Sequence, residues 1–367
     1  MVPGALGQRL RREFSRFAHP GIDPALVRTS GLSEWAERIA SRMGRRKLAH
    51  LLDRFGNERF VGAIAADLQS SEPFAIWGYN GSSATSFEEA RRNGRICILD
   101  RTIGDYRVYN RMMAEIRDSY GDWFLSTERG EPDATIRNDQ REYELADRIV
   151  VGSPFAAGTI AEGTGDAAIA AKVRVLNYCY DEGLFGSLPP PAPVDRSGPV
   201  RFLFLGLGIP RKGIHHVLEA IARIPRSAAT LTIVGNLKVP PKVFARYSDR
   251  VTWIPTVPRA EVPQIMAAHH VFLLPSYFEG AGITLYEALA AGAALIHSDR
   301  CGTAVTPETG ILLERVDTDT LHAAMLTAIE DRPRLDSWRA AAPARAQAFT
   351  FANYRTNIAA MLAEMGL

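Results

Sequence analysis

The sequence predicts two doubly wound α/β domains, and three observations lead there. From residue 74 onward, short and nearly continuous apolar runs alternate with longer helical patterns, as parallel strands covered on both faces by helices do. One proline-rich stretch, SLPPPAPVDRSGP from Ser187 to Pro199, interrupts the alternation, and neither a helix nor a central strand can cross it. The length, 367 residues, also exceeds what a single hydrophobic core usually serves.

Before the proline stretch, strands are expected at 74–79, 96–100, 148–153 and 173–178. After it they are expected at 200–206, 229–235, 250–255, 271–276 and 293–299. A boundary near residue 193 gives a first domain of 1–193 and a second starting at 194. Ligands of such folds bind beyond the carboxyl ends of the strands. The beginning of the chain departs from this pattern. Only Met1 and Val2 precede PGALGQRL, whose Gly4 and Gly7 look like a strand-to-helix loop, so the first strand is expected to be abbreviated or the start to be internal.

Lys and Arg total 43 against 41 Asp and Glu, a net charge of +2, which gives no reason to expect a nucleic acid partner. The first fifty residues are nevertheless Arg-rich, from Arg9, Arg11 and Arg12 to Arg45, Arg46 and Lys47. That run reads either as a solvated helical face or as attraction to anionic lipid head groups or an anionic acceptor. Three scattered cysteines, Cys97, Cys179 and Cys301, indicate no disulfide framework. No apolar run approaches the roughly 20 residues that span a bilayer, and the expected location is cytoplasmic, at most peripheral on the inner face of the membrane.

Two motifs carry chemistry. In FEGAGITLYEALAAG, Phe278 to Gly292, a strand-to-helix loop holds Glu279 between residues that lead into Gly280 and Gly282, and a helix follows from Thr284. The glycines let backbone N–H groups approach a phosphate at a helix N-terminus, while Glu287, about one turn into the helix, suits a ribose diol. Upstream, FLFLGLGIPRKGIHHVLEAI runs a strand into a loop with Gly206 and Gly208, then Arg211 and Lys212, then Gly213 opening a helix. Two cations and a helix dipole there converge where a diphosphate can lie.

With these residues in view, the chain resembles the retaining glycosyltransferases of family 4. PSYFEGAGITLYEALAAGAALIHSD, VRVLNYCYDEGLF, YELADRIVVGSPFAAGTI and FTFANYRTNIAAMLAEMGL carry the likeness, most specifically in the C-terminal half. The resemblance implies the GT-B architecture: two facing Rossmann-like domains, the second spanning 194–345, and a helix in 346–367 that crosses back onto the first. It implies that Glu287 binds the donor ribose and Glu279 the donor sugar. Arg211 and Lys212 would neutralise the diphosphate beside Gly208 and Gly280, and the backbone at Gly282, Ile283 and Thr284 would cap its distal phosphate. It also implies retention by same-face attack, with no metal and no cofactor beyond the nucleotide diphosphate sugar itself as co-substrate. The acceptor would be a glycan or a lipid-linked glycan.

The family usually has Arg where this chain has Leu207, and Gly where it has Cys179. Many members also carry a first-domain pocket histidine, whereas His19 and His50 are the only histidines before residue 200. The first-domain loops LDRTIGDYR and GYNGSS then supply the acceptor-side and catalytic candidates Asp100, Arg101, Asp105, Tyr79, Asn80 and Ser82, with a helix cap as the alternative role for Asp100. Asp317 in DTD reads as a helix N-cap, and the pairs His215-His216 and His269-His270 as structural, so no metal site is expected. Same-fold alternatives are a nucleotide-sugar epimerase or a phosphorylase. The rival from another class is a non-catalytic partner subunit.

Overall fold

The computed structural model describes residues 22–27 and 32–367. The expectations for Met1, Val2, Gly4, Gly7, Arg9, Arg11, Arg12 and His19, and for the side chains of Arg46, Lys47 and His50, lie outside the described residues. The chain forms two compact units, 1–71 and 72–367. In the first, helices Leu32–Arg42 and Arg46–Leu68 pack against each other.

The second unit contains two parallel sheets. The first has the order β1-β2-β3-β4, from Ala75–Tyr79, Ile96–Arg101, Arg148–Val151 and Val173–Val175. The second has the order β10-β9-β8-β5-β6-β7. Its strands are β5 Val200–Leu205, β6 Ala229–Val234, β7 Val251–Ile254, β8 Val271–Leu274, β9 Ala294–Ser298 and β10 Gly310–Leu313. All nine expected runs are strands. The tenth, β10, was not foreseen, because GILL is a short run at a sheet edge where Leu312 stays half exposed.

Strands β8 and β9 in the second sheet are buried along their whole length, Val271 to Leu274 at 0% exposure, and this explains the uninterrupted apolar run of β8. Helices Ile214–Ala222, Ile283–Ala290 and Thr318–Glu330 cover the sheet with Val217, Leu218, Leu285, Leu289 and Leu321. Thr350 caps the last helix, Phe351–Glu364, through its own oxygen accepting from the Asn353 amide. That helix lays Tyr354, Ile358 and Met361 on Ile98, Val150 and Leu176, so the chain does cross back onto the first sheet.

The two sheets meet through close backbone contact. Gly280 lies so near the β2 loop that an added Cβ would sit 1.8 Å from the Thr102 carbonyl oxygen. On the other side of this contact, a Cβ on Gly104 would fall 2.6 Å from the Phe278 ring. Phe278 is completely buried among Tyr109, Phe155 and Val108, all from the first-sheet half.

Candidate active site

In the second sheet the strand order reverses between β5 and β8, and ligands of open α/β sheets bind at such a switch point, outside the carboxyl ends. The residues leaving those two ends are Gly206 to Gly213 and Pro275 to Gly282. They carry the two motifs singled out in the sequence, and the fold brings them together.

Lys212 Nζ lies 2.7 Å from Glu279 Oε1 and Arg211 Nη1 lies 3.4 Å from the same oxygen. Arg211 also donates to the Phe278 carbonyl, and the Tyr277 amide donates to the Arg211 carbonyl at 2.8 Å, so the β5 and β8 loops are stitched together. Ser276 Oγ donates to Glu279 Oε1 at 3.2 Å. Burial pushes the Glu279 carboxyl up, but Arg211 and Lys212 outweigh it and hold the group below its ordinary range. Glu279 is therefore ionised at neutral pH.

Both helices that leave this point begin at a glycine with no side-chain cap, Gly213 before Ile214 and Gly282 before Ile283. Asp105, Ser153, Asp317, Asp331 and Thr350 cap their helices, whereas Arg46–Leu68, Ala84–Arg92 and Asp133–Leu145 also start without a side-chain cap. Uncapped first-turn amides facing a cluster of cations form an anion site. Gly213 is required for tertiary reasons too: its φ is +69° and a Cβ would stand 2.2 Å from the Pro275 carbonyl oxygen.

Some expected roles change. The Gly282 amide donates to the Cys301 carbonyl at 2.9 Å and the Ile283 amide to Ala281 at 3.1 Å, so these two are engaged within the protein, and Thr284 is left as the first-turn amide of that set. The Thr102 backbone presses on Gly280, so loop packing by itself requires glycine there, while Gly208 packs against the flexible end of the Leu237 side chain where the two loops bridge.

Glu287 is buried, at 3% exposure, on the helix that follows. Arg259, which sequence reasoning missed, pairs with its Oε1, while Oε2 is buried without a hydrogen-bond partner. Arg259 stands directly after Pro255 to Pro258, the loop that leaves β7.

On the first sheet, Asp100, one residue before the end of β2, pairs with Tyr79 at the end of β1. It accepts from Tyr178 Oη at 2.9 Å and from Trp77 Nε1 at 3.3 Å, and it caps no helix. Burial pushes its carboxyl above the ordinary range against those two bonds. Tyr79 is 58% exposed. Asn80 Oδ1 accepts from the Thr102 amide at 3.0 Å, and Ser82 Oγ donates to the Tyr79 carbonyl at 3.3 Å. Asn80 thereby ties the β1 and β2 loops together. The loop itself is fixed by Glu142, another residue sequence reasoning missed, which accepts from the Gly81 and Ser83 amides, each at 2.8 Å.

Arg101 and Asp105 are not ligand-facing. Arg101 is fully buried, 2.8 Å from Asp139 and donating to the Gly104 carbonyl at 2.8 Å. Asp105 is the N-cap of Tyr106–Tyr120, accepting from the Arg107 amide. Both shape the loop that presses on Gly280. A carboxylate four residues past a strand and an arginine at its end read equally well as site or scaffold until their distant partners are known.

His216 joins Thr318 Oγ1 at 2.7 Å and Tyr277 Oη at 2.6 Å, and Thr318 Oγ1 donates to Glu219 at 2.7 Å. Burial lowers His216 to about 4, so the neutral ring passes hydrogen bonds from Tyr277 to Glu219 and steadies the β8 loop. His269 and His270 bond Thr232 and the Arg201 amide. Asp317 accepts from the Thr320 amide as an N-cap.

Known proteins place this arrangement. Residues 192–345, which hold the second sheet, match the family model of glycosyl transferases group 1. Among curated relatives, O-antigen chain mannosyltransferase B of Escherichia coli is 30% identical over 168 residues, 42% of this chain and 43% of that protein. Lipopolysaccharide glucosyltransferase WaaG of Escherichia coli is 29% identical over 147 residues, 37% of this chain and 39% of that protein. The alignments thus span under half the length of these relatives. In three dimensions, Anabaena HepE in complex with UDP superposes with TM-score 0.61 at 18% identity, covering 84% of this chain and 82% of that one. The lipopolysaccharide outer core galactosyltransferase WaaB superposes with TM-score 0.58 at 18% identity, covering 87% and 82%. The fold is GT-B.

Proposed function

We propose that this chain is a retaining glycosyltransferase of family 4 that moves a sugar from a nucleotide diphosphate sugar to a glycan or lipid-linked acceptor in bacterial polysaccharide assembly. One observation carries the reading: at the switch point of the second sheet, Arg211 and Lys212 pair with an ionised Glu279 in the two loops that lead into glycine-led helices, with Glu287 one helix turn beyond. The mannosyltransferase and glucosyltransferase names of the relatives support it.

Breaking a sugar–phosphate bond builds negative charge on the departing diphosphate. Fixed cations and N–H dipoles stabilise that charge most as it develops, and here they supply the positive field without a metal. Glu279 can accept from donor-sugar hydroxyls, and Glu287 Oε2 can accept from the ribose. Retention follows from same-face attack, in which a donor phosphate oxygen takes the acceptor proton. On the opposite sheet, Asp100 and the exposed Tyr79 face the acceptor. The protein works in the cytoplasm and touches the anionic inner face of the membrane. That contact is supported by exposed Ile39, Met43, Leu51 and Phe55 in an Arg-rich part of the sequence.

Thermal-shift titration of wild type and Glu287→Ala with UDP, GDP, ADP and TDP tests the reading. A nucleotide at about 100 times its Kd adds roughly 2.7 kcal/mol to stability. One nucleotide stabilising wild type alone is expected and names the base. No shift with any of the four would favour a non-catalytic partner subunit.

A further inference from the structure

We infer that Arg259 is a positioning residue for the donor: it holds one oxygen of Glu287 so that the other is presented to the nucleotide. This rests on the donor-site reading above. Glu287 is a buried carboxylate on a helix whose neighbours are apolar, and a buried carboxylate needs partners for its oxygens. Arg259 supplies one, binding Oε1, whereas Oε2 is buried and unpartnered. An orphaned oxygen of a 97% buried acid is an unmet hydrogen-bond acceptor, and a donor hydroxyl satisfies it.

Arg259 is itself held from the other side. Its guanidinium lies 5.6 Å from the Phe185 ring centroid, and Phe185 is buried in the segment that links the two sheets. The ring fixes one face of the planar group while its edge meets Glu287, so the carboxylate has little freedom to rotate both oxygens toward a ligand or away from it. Half of the Arg259 side chain, 53%, remains exposed, so its charge stays solvated while the fork holds Glu287. Lysine could keep the charge but not the fork and the stacked face.

The test is isothermal titration of the full chain with UDP, GDP, ADP and TDP, alongside donor kinetics, for wild type, Arg259→Ala, Arg259→Lys, Glu287→Ala and the double alanine variant. Arg259→Ala is expected to weaken nucleotide binding about tenfold, the loss a charge-assisted hydrogen bond carries, with the effect falling on donor KM rather than kcat. Arg259→Lys should recover part of it. The double variant should bind no more weakly than Glu287→Ala, because the two residues act as one unit. Arg259→Ala binding as tightly as wild type, or more tightly, overturns the inference, as do additive losses in the double variant. If Arg259→Ala is unaffected while Glu287→Ala loses binding, the donor site stands and only the positioning role falls. Wild-type affinity in Glu287→Ala, or no binding by wild type, removes both.

Discussion

Replacing Glu279 by Gln removes the negative charge that Lys212 and Arg211 share at 2.7 and 3.4 Å. At an effective dielectric of about 20 the gross attraction across 2.7 Å is about 6 kcal/mol. Breaking one partner of a buried pair costs roughly 3–5 kcal/mol, and the amide oxygen keeps one acceptor, which favours the low end. At about 2 °C per kcal/mol for a unit of this size, the melting temperature should fall by roughly 6 °C at pH 7. The sign with pH follows from Glu279 lying below its ordinary 4.5 in the folded state. Its contribution is therefore fully present above about 4.5 and disappears as pH falls through the lower folded value, so wild type and variant should converge in acid. The charge change has a second consequence. The cations lose their internal counter-ion, so nucleoside diphosphate should stabilise the variant more than it stabilises wild type, while sugar transfer drops. Differential scanning calorimetry between pH 3 and 8, with and without nucleotide, reads both. An unchanged melting temperature at pH 7, or a deficit that persists undiminished at the acid end, would refute the reasoning.

Gly280→Ala places a methyl 1.8 Å from the Thr102 carbonyl oxygen, so the β2 and β8 loops must separate; a loss of about 1–3 kcal/mol and lower turnover are expected from denaturation curves and initial rates. Burial outweighs Arg101 and pushes Asp139 up to about 6, so the fold favours its protonated form and loses stability as pH rises from 3.8 to about 6. Asp139→Asn should flatten that part of the stability profile, and an unchanged slope would count against it. Asp100→Ala frees Tyr178 Oη and Trp77 Nε1 and should lower turnover by more than about twofold with little change in nucleotide affinity, measured by initial rates and titration. Turnover within twofold of wild type would end the acceptor-side role.

The sequence alone determined what depends on neighbours along the chain. Inner strands such as Val271–Leu274 are legible because burial on both faces demands uninterrupted apolar residues. Local caps such as Asp317, and the glycine-led starts of Ile214–Ala222 and Ile283–Ala290, are legible because each is settled within a few residues. The two loops of the candidate site could be anticipated because each announces itself by composition, whereas the strand order that joins them could not. What only the tertiary structure decided involves partners far apart in sequence, whose distance spacing does not encode. Glu142 reaches the Gly81 amide from 61 residues away. Arg259 finds Glu287 across 28 residues, and Gly280 answers to Thr102 on the other sheet. The same physics reassigned Arg101 and Asp105. A charged residue at the end of a strand faces a ligand or the interior according to which counter-charge is packed against it, and for Arg101 that counter-charge is Asp139, brought in by a different helix.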